Sequence, residues 1–245
     1  MTVLFGLGFA SIASAAPPSD WLDQVQSSWE NTQNFCGQTV LATATGDATV
    51  MTTGKRCVDR KRGILTEVDT PIGAAVEIRL WREFWQYDPA TPFVFHLIVP
   101  DGVDVPRKPF GEDLGDWVSL MAARQSEIRV LDDLTIHNRA HWRIVLPQAV
   151  DGREAVWMID PDLKLPVAME LREGSQVVLS VGYTQLSTNL DIPDQYFQIR
   201  PPMHASTVEV EWDPTQDPQD VIRLATLELQ AQLGEELGTS PISPE

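Results

Sequence analysis

Two cysteines set symmetrically about one turn constrain this chain more than any other feature. In the stretch FCGQTVLATATGDATVMTTGKRC, Phe35 to Cys57, both cysteines of the protein flank Gly46-Asp47. Glycine at the first central position tolerates the positive φ of a II′ turn, so this pair suits a two-residue hairpin loop. Folding about it sets Thr45 opposite Ala48, and the same register carried outward sets Cys36 opposite Cys57. With Thr45 and Ala48 hydrogen-bonded, the cysteines fall on a non-hydrogen-bonded pair. There side chains lie closest and a disulfide is sterically allowed. The expectation is one long hairpin stapled by a Cys36–Cys57 bridge. The alternative is two buried free thiols, because Thr-rich strands specify register weakly.

A bridge requires an oxidising compartment, and the N-terminus addresses that requirement. MTVLFGLGFASIASAAPPSDW has an apolar run from Val3 to Ile12, followed by Ala13-Ser14-Ala15-Ala16. This is the pattern of a secretory signal, with the mature chain starting at Pro17-Pro18. The run is too short to span a bilayer. No Lys or Arg precedes it, so either the start lies upstream or the signal is atypical. The alternative is an apolar N-terminal core segment. No later apolar stretch is long enough to span a membrane, so no span is expected in the mature protein. The formal charge of −17 is spread along the chain. Nucleic acid and anionic membrane surfaces need a basic face, so neither is expected as a partner.

Beyond the signal the chain reads as strands between helices. Trp21, Leu22, Val25 and Trp29 recur at helical spacing over Ser19–Asn34. After the hairpin, strands are expected over 63–68, 74–81, 84–87 and 93–99. A loop follows over 101–111, broken by prolines, glycines and aspartates. A second helix is expected over Trp117–Gln125, capped by Asp116, with Trp117, Leu120, Met121 and Arg124 on one side. Strands resume over 128–131, 135–138, 141–146, 154–159, 166–172 and 176–186, with a last one over 196–199. Asp217 as cap, Pro218 at the first helical position and Asp220 start a C-terminal amphipathic helix that ends near Leu237. The expected segments are a signal peptide over 1–16, a main domain over 17–212, a linker and helix over 213–238, and a disordered tail over 239–245.

Catalytic signatures are weak. The chain has four histidines, and His137 and His141 have metal-binding spacing only if they lie on a helix. Here they fall in strand-like sequence. Ser119 and Ser180 lack a glycine elbow. Asp213, Asp217 and Asp220 lack the glycine and glutamate of a calcium loop, and capping explains the latter two. The expectation is a non-enzyme with no catalytic residue, no metal and no cofactor. The concentration of Trp81, Phe84, Trp85, Tyr87, Phe93 and Phe95 within one short region suits either an ordinary core or a lipid pocket.

Several segments together resemble the LolA-type family of periplasmic lipoprotein carriers, with its lipoprotein-sorting and RseB-like relatives. They are GKRCVDR (54–60), REFWQYDP (82–89), HWRIVLP (141–147), VWMIDPDLKLPVAMELREG (156–174) and YTQLSTNLDIPDQYFQIRPP (183–202). The resemblance lies in their order and spacing. It implies an α+β fold: a strongly curved antiparallel sheet forming an incomplete β-barrel, with helices over its open side. It implies a periplasmic carrier or chaperone that takes lipid or lipoprotein acyl chains into a hydrophobic cavity. Cavity candidates are Trp81, Trp85, Phe93, Phe95, Trp117, Met121, Trp142, Trp157 and Met169, each of which could equally be core. The family's arginine that latches the lid helices matches Arg60, although Lys61 stands where the family has proline; Arg56 is a rival, and either could be a solvated strand-end charge. The cysteine pair and the acidic C-terminal helix are additions to the family pattern. An alternative is an RseB-like regulatory module whose C-terminal helix docks on an envelope protein. The remaining alternative is an envelope enzyme.

Overall fold

The computed structural model describes residues 17–45, 48–105, 112–136 and 139–236. The leader expected over 1–16, the Gly46-Asp47 turn, His137 and the tail from residue 239 lie outside the described residues, as does the loop beyond Val105 up to residue 111.

The described residues form three α-helices, α1 (Trp21–Asn31), α2 (Glu112–Ala123) and α3 (Pro218–Glu236). The strands are β1 (Asn34–Thr45), β2 (Ala48–Asp59), β3 (Gly63–Thr70), β4 (Gly73–Leu80), β5 (Glu83–Tyr87) and β6 (Phe93–Ile98) in the first run. The second run is β7 (Arg129–Ile136), β8 (Arg139–Val150), β9 (Arg153–Asp160), β10 (Leu165–Glu173), β11 (Gln176–Thr188) and β12 (Ser206–Glu211). They hydrogen-bond in the order β12-β6-β5-β4-β3-β2-β1-β11-β10-β9-β8-β7, an open sheet with β12 and β7 at its edges. The fold is α+β. The pairings from β2 to β6 and from β7 to β11 are antiparallel, and at one edge β12 runs parallel to β6. Cys36 and Cys57 are joined in a disulfide, with Cα atoms 4.1 Å apart.

Local chemistry explains the connections. Asp151-Gly152 joins β8 to β9 with both residues at positive φ, 49° and 75°, the backbone of a I′ hairpin turn. Asp160 turns the chain from β9 towards β10, its Oδ1 accepting the N–H groups of Asp162 (2.8 Å) and Leu163 (3.1 Å). Asp217 caps α3 as expected, its Oδ1 accepting the Gln219 N–H at 2.8 Å.

Several elements differ from the sequence expectation, among them β12, which was not expected as a strand. α2 starts at Glu112, so Asp116 lies inside it. One strand, β7 (Arg129–Ile136), stands where two were expected over 128–131 and 135–138, residues 137 and 138 lying outside the described residues. β8 continues through Pro147 to Val150, and the missing proline N–H is absorbed by a register shift against β9 between Leu146 and Val150. Residues 194–197 form a 3₁₀ turn rather than a strand, started by the Tyr196 N–H bond to the Pro193 carbonyl.

The chain divides into two compact units. The first comprises the chain up to Gln33, Gly37–Thr53 and Glu112–Asn189. Its core packs α1 and α2 against one face of β8, β9 and β10. The second comprises Asn34–Cys36, Gly54–Gly111 and Leu190 onward. It has a core on each face of its strands. On one face Phe84, Phe95, Leu97 and Val99 meet Trp212 and Ile222. On the other, Cys57, Leu65 and Ile78 meet Ile192 and Phe197.

Candidate functional site

In the first unit the sequence builds an apolar layer between two helices and a sheet. Trp21, Leu22 and Val25 lie on one face of α1, and Val118 and Met121 on one face of α2. Strand alternation supplies the opposite wall: Trp142, Ile144 and Leu146 from β8, Ala155, Trp157 and Ile159 from β9, Met169 and Leu171 from β10. The helices approach closely because Gly115 has no side chain. A Cβ there would lie 2.9 Å from the Trp29 ring. Burial of each large apolar side chain stabilises by about 1.5–3 kcal/mol, so this layer is what holds the helices down.

Trp157 sits at the centre of the layer. Its register partners are Ile144 on β8 and Met169 on β10. The side chain is fully buried, and its Nε1–H has no hydrogen-bond partner. Trp142 is nearer the edge, with the Lys164 ammonium 4.6 Å from its ring centroid.

One arginine ties the helical side of this unit to the sheet. Arg124, just beyond α2, donates to the carbonyls of Gln148 (2.9 Å) and Pro147 (3.1 Å). Those carbonyls are available because the β8–β9 register breaks there and Gln148 adopts a positive φ of 51°. Glu127 also accepts from Arg124 (2.9 Å to Nε), and that bond holds its carboxyl below the usual carboxylate range. Sequence reasoning missed this clasp, although Pro147 inside a strand-like run was a signal that carbonyls would be released from the ladder.

Of the nine cavity candidates, the structure brings five together here: Trp117, Met121, Trp142, Trp157 and Met169. The other four belong to the second unit, on different surfaces. Phe93 and Phe95 lie 6.4 Å apart on the face that packs against α3. Trp85 lies on the opposite face, stacked on His96 at 3.5 Å and donating to Glu83 at 3.0 Å. Trp81 is half-buried and donates to the Lys61 carbonyl at 2.7 Å. Arg60 also belongs to the second unit, half-buried at the turn after β2.

α3 places Ile222 in the core of the second unit, with Val221, Ala225 and Leu229 packed against it. Leu224 and Leu227 remain about half exposed, at 54% and 53%.

The face of the first unit's sheet opposite the helices carries a cavity of about 430 Å³. It opens over Ala168 and Gly182, register partners whose small size leaves the space. A Cβ on Gly182 would lie 2.8 Å from that of Ala168. Met158, Val167 and Leu186 wall it, with His141 and Asp160 at its polar end. His141 is buried and its Nδ1 lies 3.0 Å from the Arg139 carbonyl, which can only accept, so Nδ1 carries the proton. Asp160 is salt-bridged to Arg139 at 3.3 Å. None of the nine candidates lines this cavity. Among the described residues no group of three or more His, Cys, Asp or Glu could hold a metal ion, and no helix is long and apolar enough to cross a membrane.

No family model matches the chain, and no curated protein matches it. Solved structures do align with it. The chain is similar to LolA superfamily and MucB structures. The Nitrosomonas europaea LolA superfamily protein is 11% identical, covering 76% of this chain and 99% of that one, with a TM-score of 0.34. The Pseudomonas aeruginosa MucA/MucB complex is 16% identical, covering 82% of this chain and 66% of that one, with a TM-score of 0.45. An uncharacterized conserved protein from Thermus thermophilus is 11% identical, covering 78% of this chain and 98% of that one, with a TM-score of 0.49.

Proposed function

We propose that this protein is a non-catalytic binding protein of the cell envelope, a periplasmic carrier that takes lipid or lipoprotein acyl chains between α1, α2 and strands β8–β10. The observation that carries the reading is the apolar layer itself. Two helices are held to a sheet by aromatic and aliphatic side chains, with few polar ties beyond Arg124. An acyl chain inserted there exchanges one set of apolar contacts for another and removes its methylenes from water, at about 0.8 kcal/mol each. Binding needs no covalent step. The order of sequence motifs shared with lipoprotein carriers supports the same reading, as does the disulfide, which fits an oxidising compartment.

A second reading is a regulatory module that docks on an envelope protein. The exposed Leu224 and Leu227 on α3 favour it, since their own core does not use them.

Native mass spectrometry of protein purified without detergent, followed by organic extraction and a fluorescent-lipid uptake assay, tests the first reading. Bound phospholipid or acyl-peptide mass is the expected result. A clean apo mass with no uptake of the analogue refutes it and leaves the docking reading.

A further inference from the structure

The orphaned indole N–H of Trp157 identifies what kind of chain the layer takes. We propose that this N–H is the polar anchor of the binding layer, donating to an ester or amide carbonyl at the head of an acyl chain. The inference rests on the carrier reading and deepens it, from any apolar chain to one that bears a carbonyl.

A buried N–H without an acceptor is costly, and the great majority of buried polar side-chain atoms are paired. Trp157 is fully buried, yet its Nε1–H has no partner. The surroundings cannot supply one. Its register neighbours Ile144 and Met169 offer no strong acceptor, and the backbones on both sides are engaged in ladders with β8 and β10. The α1 and α2 side chains of the apolar layer, Trp21, Leu22, Val25, Val118 and Met121, offer no strong acceptor either. Packing alone does not call for the indole nitrogen. A phenylalanine would fill most of the volume and bring no unpaired donor.

A single donor in an otherwise apolar layer selects a ligand with a matching single acceptor. A hydrocarbon chain would leave the N–H unpaired, and a carboxylate would have to bury its charge without a cation. The cations nearest the layer are at its margin, Lys164 over the Trp142 ring and Arg124 already paired with Glu127, so neither is placed at the indole. A neutral carbonyl joined to a long alkyl chain satisfies both conditions, and acyl esters and amides have that form. Binding then relieves a defect already present in the empty protein, so the interaction gains more than an ordinary exchange of hydrogen bonds with water.

The test compares two probes of equal chain length, an alkylpyrene and the methyl ester of a pyrenyl fatty acid, on the wild-type protein and on Trp157→Phe. The expected result is that Trp157→Phe binds the ester about 3- to 10-fold more weakly, the loss typical of one hydrogen bond. The alkylpyrene is held equally by both proteins. In parallel, the indole ¹⁵N–H resonance absent from Trp157→Phe spectra identifies Trp157 in the wild type, and the ester moves it downfield. Equal ester affinity in the two proteins overturns the anchor while leaving the carrier reading in place. If wild-type protein binds neither probe, the carrier reading falls and the anchor with it. Should Trp157→Phe fail to fold, the wild-type resonance decides, assigned by backbone connectivity: no downfield shift on saturation with ester overturns the proposal.

Discussion

Opening the Cys36–Cys57 bridge is the perturbation whose size follows most directly from the structure. The cysteines are 21 residues apart in sequence, and the loop they close is the β1–β2 hairpin. In the chain-entropy treatment, such a closure removes about 11 cal/mol/K from the unfolded ensemble, which is about 3 kcal/mol at room temperature. For a chain of this size that corresponds to a fall in Tm of roughly 6–13 °C. Cys57 is fully buried against Leu65, Ile78, Ile192 and Phe197, so double alanine replacement also loses sulfur packing and costs more than reduction. The assay is differential scanning calorimetry of oxidised, reduced and double-alanine protein, with the thiol state confirmed by mass. Hydrogen exchange locates the effect. Both cysteines belong to the second unit, so amides of β2, β3 and β4 lose protection before those of β8, β9 and β10. A Tm shift under about 2 °C on confirmed reduction refutes the entropic reasoning. Equal loss of protection in both sets of strands refutes the localisation.

Other expectations follow from single contacts. Gly115→Leu drives a side chain into the Trp29 ring and lowers stability by about 1–3 kcal/mol, read by urea titration; an unchanged midpoint means the helices are not in close contact there. Arg124→Ala frees the Pro147 and Gln148 carbonyls, so α2 amides exchange faster and, on the proposed carrier reading, lipid-probe uptake speeds up. Uptake at the wild-type rate removes Arg124 as a clasp. Burial raises the carboxyl pKa of Glu77 above its usual 4.5, with Asp217 adding and Arg56 and Arg79 opposing. The folded state therefore holds a proton that the unfolded chain has released, and Glu77 costs stability as pH rises from about 4.5 through the folded value. Glu77→Gln should raise Tm at neutral pH, with the gain vanishing below about pH 4; a pH-independent difference sinks this account. Truncation after Asp213 uncovers Phe84, Phe95 and Val99 and lowers Tm, whereas Leu224→Asp with Leu227→Asp changes stability by less than about 0.5 kcal/mol.

The parts of this fold that were legible were those governed by nearest neighbours. The Cys36–Cys57 bridge follows from spacing within one short stretch, and the Asp217 cap depends on a few adjacent residues. α2 was misplaced because Asp116 has the chemistry of a cap, while the helix is instead extended to Glu112 through Leu114, which is fully buried. β12 was missed because STVEVE is a partly exposed edge with little apolar content, and its partner β6 lies more than a hundred residues away. The nine aromatic and methionine candidates could not be sorted by face. Strand parity is lost at the bulges between Pro166 and Ala168 and between Leu171 and Arg172. Nor could sequence show that Trp157 lacks a partner, because an unpaired atom is a property of everything around it.

The parallel pairing of β12 with β6 bears on how the protein is made. β6 is complete by Ile98, but the strand that covers its outer edge begins only at Ser206. A chain emerging from its N-terminus therefore carries FVFHLI with an unpaired ladder edge until β12 has emerged. Such a segment is a template for wrong pairing with other chains. Long-range pairings also form slowly. The late arrival of β12 and α3 makes residues 206–236 the segment that closes this edge. Damage there should register first as lost yield, before any change in what the finished protein binds.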